Sequence, residues 1–279
     1  MSDLSQTIRK FNRFELKYLI TLKQAESVKS ALRAYMLPDG HSQGDGRYTL
    51  TSLYYDSPDL RCYWEKEYGL RFRRKLRLRR YETGEPLTED TPIFLEIKQR
   101  VDRVTQKRRA VMSYGDALQL CNDRQLPGGT PEDQPTIEEV YVFLWQYNLR
   151  PTSIVRYQRQ AFIGTDYDPG LRITFDTDLS FQSQRLRLHE EPSPLPMLSP
   201  DRVVMEIKLN ERMPGWLTEL IAVHNLKMVR ISKYCRSIEA AQKMPSLHWR
   251  GLPAESAEEA LASSLSVFSR LEQKMGIRR

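Results

Sequence analysis

The sequence has little of what the commonest catalytic and metal centres are built from. Its four histidines, His41, His189, His224 and His248, stand alone, which leaves a histidine metal site or a Ser-His triad with little support. Cys62, Cys121 and Cys235 have no metal-ligand spacing and cannot all pair, so a reduced, cytosolic setting is the simplest fit. Long apolar runs are missing as well. VYVFLW (140–145) is far too short to cross a bilayer, and MSDLSQTIRKFNRFELKY contains no apolar signal core. Acid is in deficit: 36 Asp and Glu stand against 43 Lys and Arg, a net charge of +7. With 40% hydrophobic and 28% charged residues, this describes a soluble globular protein with an anionic partner that bulk charge does not identify.

What is present is a set of strands with one charged and one apolar face. Leu70 to Tyr81, LRFRRKLRLRRY, holds seven cations and no acid. Read as a strand, it places Arg71, Arg73, Lys75, Arg77 and Arg79 on one face. Leu70, Phe72, Leu76 and Leu78 take the other, interrupted by Arg74. Unpaired buried charge is costly, so the cationic face must meet water, acids or a polyanion. A solvated edge strand is the plainer reading of such a run.

Three other strands carry Glu-x-Lys on one face: Glu15 and Lys17 in FELK, Glu96 and Lys98 in FLEIK, Glu206 and Lys208 in MEIKL. Each pair alone reads as a surface cross-strand ion pair. Further strands are expected at 48–55, 104–112, 153–165, 171–181 and 227–231, the pair 153–165 and 171–181 joined by a Tyr-Asp-Pro-Gly turn. Helices are expected at 22–35 behind a Thr21 cap, 59–67 behind Ser57, 114–122, 137–147, 216–225, from 233 to near Met244, and at 254–275. Loops are expected at 37–46, 82–91 and 125–135, and a proline-rich loop or lid at 190–201. No sharp linker divides the chain, so one domain over 10–245 with a helical extension at 246–279 is expected. A closed eight-stranded antiparallel β tunnel within an α+β fold reconciles these faces: apolar sides meet a shell of helices and charged sides line a water-filled tunnel.

Taken in order, FELK, YYDS, LRLRRY, FLEIK, RYQRQAF, LRITFDTDL, MEIKL and ISKY resemble the vacuolar transporter chaperone (VTC) domain. This is the polyphosphate polymerase branch of the triphosphate tunnel metalloenzymes, relatives of the CYTH triphosphatases. The resemblance spans roughly residues 10 to 240. It implies a tunnel that binds ATP and a divalent metal, Mn²⁺ or Mg²⁺, and moves the terminal phosphoryl group onto a growing polyphosphate chain. By motif it assigns substrate phosphates to Lys17, Arg77, Arg79, Lys98, Arg159 and Arg172. Arg230, Ser232 and Lys233 match a Lys/Ser/Lys cluster, with Arg in the first place. Of these, Arg77, Arg79, Lys98, Arg159, Arg172 and Lys233 are expected to act in catalysis. Glu206 matches the metal carboxylate, and shared faces add Glu15 and Glu96 to the metal and Lys208 to the substrate.

Phosphoryl transfer needs alignment and charge neutralisation more than covalent help, so the lack of a suitable histidine fits. Hydrolysis of inorganic or nucleoside triphosphate in the same site, with water as acceptor, is the nearest alternative. A non-catalytic polyphosphate or nucleic-acid binder is the other, but it would have no use for Glu15, Glu96 and Glu206. ATP and polyphosphate or pyrophosphate are thus the expected partners, and nucleic acid is not expected. Larger eukaryotic family members carry sensing and membrane-spanning segments that are missing from this sequence. A separate membrane protein would have to supply any channel, placing a cytoplasmic protein at a membrane through that partner.

Overall fold

In the computed structural model, residues 14–40, 46–102, 104–190, 194–210 and 212–241 are described. The expected helix at 254–275 and the whole extension 246–279 lie outside them. One antiparallel sheet organises the fold, and eight of its strands form a continuous path: β1 (Phe14–Thr21), β10 (Arg202–Leu209), β8 (Arg172–Gln182), β7 (Arg150–Gly164), β3 (Arg47–Asp56), β4 (Phe72–Tyr81), β5 (Pro92–Val101) and β6 (Val104–Ser113). Two short strands lie off the path: β2 (Met36–Pro38) pairs with β7, and β9 (Leu195–Pro196) with β8. The eight expected strands along the path are thus joined by two unforeseen ones, cut from stretches whose prolines read as loop.

The sheet is strongly curled. β1 and β5 are six strand spacings apart along the path, roughly 29 Å in a flat sheet, yet Lys98 Nζ of β5 lies 2.7 Å from Glu15 Oε2 of β1. Both side chains belong to the charged face, so that face is the concave one. Among the described residues no backbone ladder joins β6 to β1; β1 is reached by a side chain of β5, Lys98 on Glu15.

The apolar faces pack outward, as their alternation requires. Leu53, Tyr55, Leu76, Leu78, Leu95 and Ile97 form one core with Ile137, Val140, Phe143 and Leu144 of helix α4 (Gln134–Gln146). Helix α1 (Leu22–Leu32) lays Ala25, Val28 and Leu32 on Tyr18, Ile20, Phe175, Met205 and Ile207, forming a second core. Each fully buried leucine contributes about 1.5–3 kcal/mol. Thr21 caps α1 in a capping box: its hydroxyl accepts from Gln24 N, and Gln24 Oε1 accepts from Thr21 N. Arg74, the exception on the apolar face of β4, stacks its guanidinium 4.2 Å from the Phe143 ring and donates to Gln146 Oε1 at 3.1 Å.

Tight turns set the register. Asp102 takes φ 51°, the left-handed backbone a short β5–β6 turn needs. Gly170 (φ +83°) closes the β7–β8 turn, and a Cβ there would meet the Asn210 side chain. Helix α2 (Arg61–Glu67) starts two residues later than expected, behind Leu60 in a left-handed conformation; Ser57 Oγ accepts from Arg61 N. Helix α3 (Tyr114–Leu118) runs on as a π turn over Gln119–Asp123. Helix α5 (Gly215–Val223) leads to the segment 227–231, which is no strand. It touches the sheet through one bridge, Tyr18 with Met228, and then enters helix α6 (Lys233–Ala240).

Candidate active site

Inward-facing side chains from seven strands and α6 converge on the concave face, where they form two charge clusters. The first surrounds Glu96, 2% exposed at the centre of β5. Arg77 on β4 and Arg109 on β6 are its cross-strand neighbours. Arg77 Nη2, Lys107 Nζ and Arg109 Nη2 each lie 2.6 Å from a Glu96 oxygen, and Arg79 Nη1 lies at 3.8 Å. Burial alone would raise the Glu96 carboxyl, but Arg77, Arg79, Lys107 and Arg109 outweigh it and hold the group well below the usual carboxylate range.

The two arginines are also fixed from behind. Arg79 donates to Ser52 Oγ at 3.1 Å and to Tyr157 Oη at 3.0 Å. Arg77 donates to Tyr54 Oη at 3.0 Å. Burial raises the Tyr54 phenol, yet Arg77 and Arg79 bring it down to about 8.

The second cluster surrounds Glu206, 5% exposed on β10. Its cations are Lys233 at 2.8 Å, Lys17 at 3.4 Å, Lys208 at 3.5 Å and Arg159 at 3.7 Å. Lys233 also lies 2.5 Å from fully buried Asp176, which takes a bidentate pair from Arg159 at 2.6 and 2.7 Å. Lys17 and Lys98 both reach Glu15, at 3.0 and 2.7 Å. Burial opposes ionisation of Glu15, Asp176 and Glu206, but the surrounding cations keep all three carboxyls low. Lys17 and Lys233 are pushed up by their carboxylates against burial. Lys98 is lowered, because burial outweighs Glu15. Lys208 is brought down to about 7 by burial, against the pull of Glu206.

Across the two clusters nine cations meet four carboxylates. These groups are not the water-facing charges expected of a wide tunnel: Arg79, Glu96, Arg159, Asp176, Glu206 and Lys233 are all buried, each carrying charged partners. They stay ionised because the pairing is dense, and a cation surplus remains to be neutralised by an anion.

The remaining expected residues fall in different places. Arg172 belongs to neither cluster; it pairs with Asp39 at 2.6 Å and donates to Tyr48 Oη at 3.2 Å. Ser232 caps α6 and accepts from Lys75 Nζ at 2.6 Å, tying the helix that carries Lys233 to β4. Arg230 is exposed and lies near Arg73, whose pKa is lowered by burial and then by Arg100 and Arg230. The three expected metal carboxylates divide: Glu15 and Glu206 share Lys17, whereas the ion pairs of Glu96 share no cation with either. Among the described residues no group of three His, Cys, Asp or Glu side chains is placed to hold a metal. Asp176 pairs with Arg159 and Lys233.

Lys107, Arg109, Lys75, Ser52, Tyr54 and Tyr157 are the site residues that sequence reasoning passed over. The β5–β6 register carried the signal for two of them, since a two-residue turn puts Arg109 opposite Glu96 and Lys107 opposite Lys98.

The VTC-domain family model matches residues 12–242. No curated protein sequence matches the chain. Among solved structures, it is similar to a candidate adenylate cyclase from Bacillus halodurans (14% identity, TM-score 0.49, covering 81% of this chain and 96% of that one). A candidate adenylate cyclase from Vibrio parahaemolyticus matches at 11% identity and TM-score 0.41, with 81% and 96% covered. A protein from Pyrococcus horikoshii matches at 12% and 0.42, with 82% and 99% covered.

Proposed function

The chain belongs to the VTC-domain family, and from that premise we propose that it is a metal-dependent polyphosphate polymerase transferring the terminal phosphoryl group of ATP to a polyphosphate chain. The observation that carries this reading is the charge surplus on a buried concave face: nine cations around four carboxylates, arrayed over strands and one helix. A nucleotide-binding groove for one phosphate would need few of them. A chain of phosphates uses them all.

Arg77, Arg79 and Arg109 supply forked donors for phosphoryl oxygens, and the lysines supply point charges. Glu96 holds Arg77 and Arg109 in place, and Ser52 and Tyr157 hold Arg79. Lys17, Lys98, Arg159, Lys208 and Lys233 neutralise charge beside Glu15 and Glu206, while Arg172 pairs with Asp39 and Ser232 holds Lys75; Arg230 would meet the polyphosphate chain from its exposed position. In the step itself a terminal oxygen of the acceptor chain, already anionic near neutral pH, attacks the γ phosphorus. The bond to the β-phosphate oxygen breaks, and ADP leaves with that electron pair. No protein base is needed, and the residues act by alignment and neutralisation.

The donor chemistry fits a divalent ion. Glu15 and Glu206 are hard oxygen donors that already hold one cation, the Lys17 ammonium, between them; Mn²⁺ or Mg²⁺ asks for one or two carboxylates together with substrate phosphates. When bound, such an ion would neutralise phosphoryl oxygens. Glu96, ringed by arginines, falls outside this pair.

The test is incubation of the purified protein with ATP and Mn²⁺ or Mg²⁺, with products resolved on a gel stained for polyphosphate and free phosphate assayed in parallel. A ladder of chains supports the polymerase. Free phosphate without chains moves the protein to triphosphate hydrolysis.

A further inference from the structure

Thr174 lies on β8 between two inward-facing residues, Arg172 and Asp176, and shares their face by strand alternation. Its cross-strand neighbours are Glu206 on β10 and Ala161 on β7. The residue is fully buried, and its hydroxyl has no hydrogen-bond partner. The alanine offers it nothing on one side. On the other, Glu206 spends its oxygens on Lys17, Lys208, Lys233 and Arg159. Every other polar group of this cluster is paired, some of them several times over. A buried hydroxyl without a partner destabilises a fold, and valine would fill the same volume without that cost.

We infer that the Thr174 hydroxyl is a substrate-binding group that donates a hydrogen bond to a phosphoryl oxygen bound beside Glu206. The inference rests on the phosphoryl-transfer reading above and adds to it a neutral donor in a site otherwise made of charges. An incoming phosphate competes with Glu206 for Lys17 and Lys208, whose long side chains can follow it. Among the groups flanking Glu206 across the strands, Thr174 then has a proton to give that no carboxylate has claimed.

The two states of the protein therefore respond in opposite directions to one substitution, which a purely structural role does not produce. The experiment compares wild type, Thr174→Val and Thr174→Ser as full chains. Melting temperature is measured without ligand, and affinity for inorganic tripolyphosphate is measured by calorimetry in metal-free buffer. Thr174→Val should melt about 2–4 °C higher than wild type and bind tripolyphosphate about tenfold or more weakly. Thr174→Ser, which keeps the donor, should bind within about threefold of wild type. Equal affinity of wild type and Thr174→Val overturns the inference, as does a variant that loses stability and affinity together. If wild type binds no tripolyphosphate either in this buffer or with Mn²⁺ added, the phosphoryl-transfer reading fails first, and the two failures are distinguishable.

Discussion

Lys233 is the residue whose removal reads out the charge network most clearly. Its ammonium lies 2.5 Å from Asp176 and 2.8 Å from Glu206, carboxylates that are respectively fully and almost fully buried. Methionine keeps most of the side-chain volume and removes only the charge. Breaking a buried ion pair from one side costs about 3–5 kcal/mol, since the partner left behind is an uncompensated charge. Arg159 stays on Asp176 and Lys17 on Glu206, which places Lys233→Met near the lower end. At about 3 kcal/mol the melting temperature should fall by roughly 6–12 °C at pH 7.

The pH dependence supplies a second, independent sign. In the wild type both carboxyls are held below their unfolded values, so the stability they contribute is present above about pH 4 and is lost as pH falls through the folded pKa. Without Lys233 these pKa values rise toward the unfolded ones, and the variant has less to lose on acidification. The gap between wild type and variant should therefore hold from pH 7 to about pH 4 and narrow on further acidification below it. Thermal melts followed by circular dichroism across that range measure both effects. An unchanged melting temperature at pH 7 would refute the pairing, and a gap that stays constant with pH would show that only packing was lost.

Other outcomes follow from the same geometry. Arg77→Ala should weaken tripolyphosphate binding about 10- to 100-fold, with a loss of stability limited by Arg79, Lys107 and Arg109, which stay on the buried Glu96. Arg79→Ala should do both, because it is buried and its bonds to Ser52 and Tyr157 go with it; calorimetry and melts on the two variants separate these effects. Lys208, brought down to about 7, is largely neutral in the folded protein at pH 8, so anion binding there should take up close to one proton. Titrations in buffers of different ionisation enthalpy measure that uptake, and Lys208→Met should lower it, leaving the share of Lys107, which burial also brings down to about 7. Because its folded pKa lies below the unfolded value, Lys208 also makes wild-type stability rise with pH between about 7 and 10, a slope that should be shallower in the variant, where Lys107 still contributes its share. Arg74→Met, on the outer face against Phe143, should alter stability and leave tripolyphosphate affinity as it is.

Strand alternation made most of this fold legible. The parity of LRLRRY, FLEIK and MEIKL placed Arg77, Arg79, Glu96 and Glu206 on one face, and that face is the inner one. The same rule misjudged what the face meets. Alternation tells inward from outward but says nothing of the radius of curvature, and the sheet curls tightly enough for Glu15 and Lys98 to touch. The charges therefore pair with each other instead of facing water, and Glu96 becomes an anchor for arginines, apart from the two carboxylates that share Lys17. Segment 227–231 reads as a strand from its β-branched residues, yet it makes one bridge only, because the chain is turning there into the helix that delivers Lys233. Ser52 and Tyr157 left no mark in the sequence as partners of Arg79. What makes them so is the position of Arg79, a long-range contact that no local pattern encodes.

On the proposed reaction, the γ-phosphoryl group of ATP ends in a polyphosphate chain. The most direct measurement follows label from γ-³²P ATP, with α-³²P ATP as control, in wild type and Glu206→Gln with Mn²⁺ present. Only the γ label should enter chains long enough to form a ladder, and Glu206→Gln should form none. Label appearing solely as free phosphate, or chains formed equally well by Glu206→Gln, would contradict that reaction.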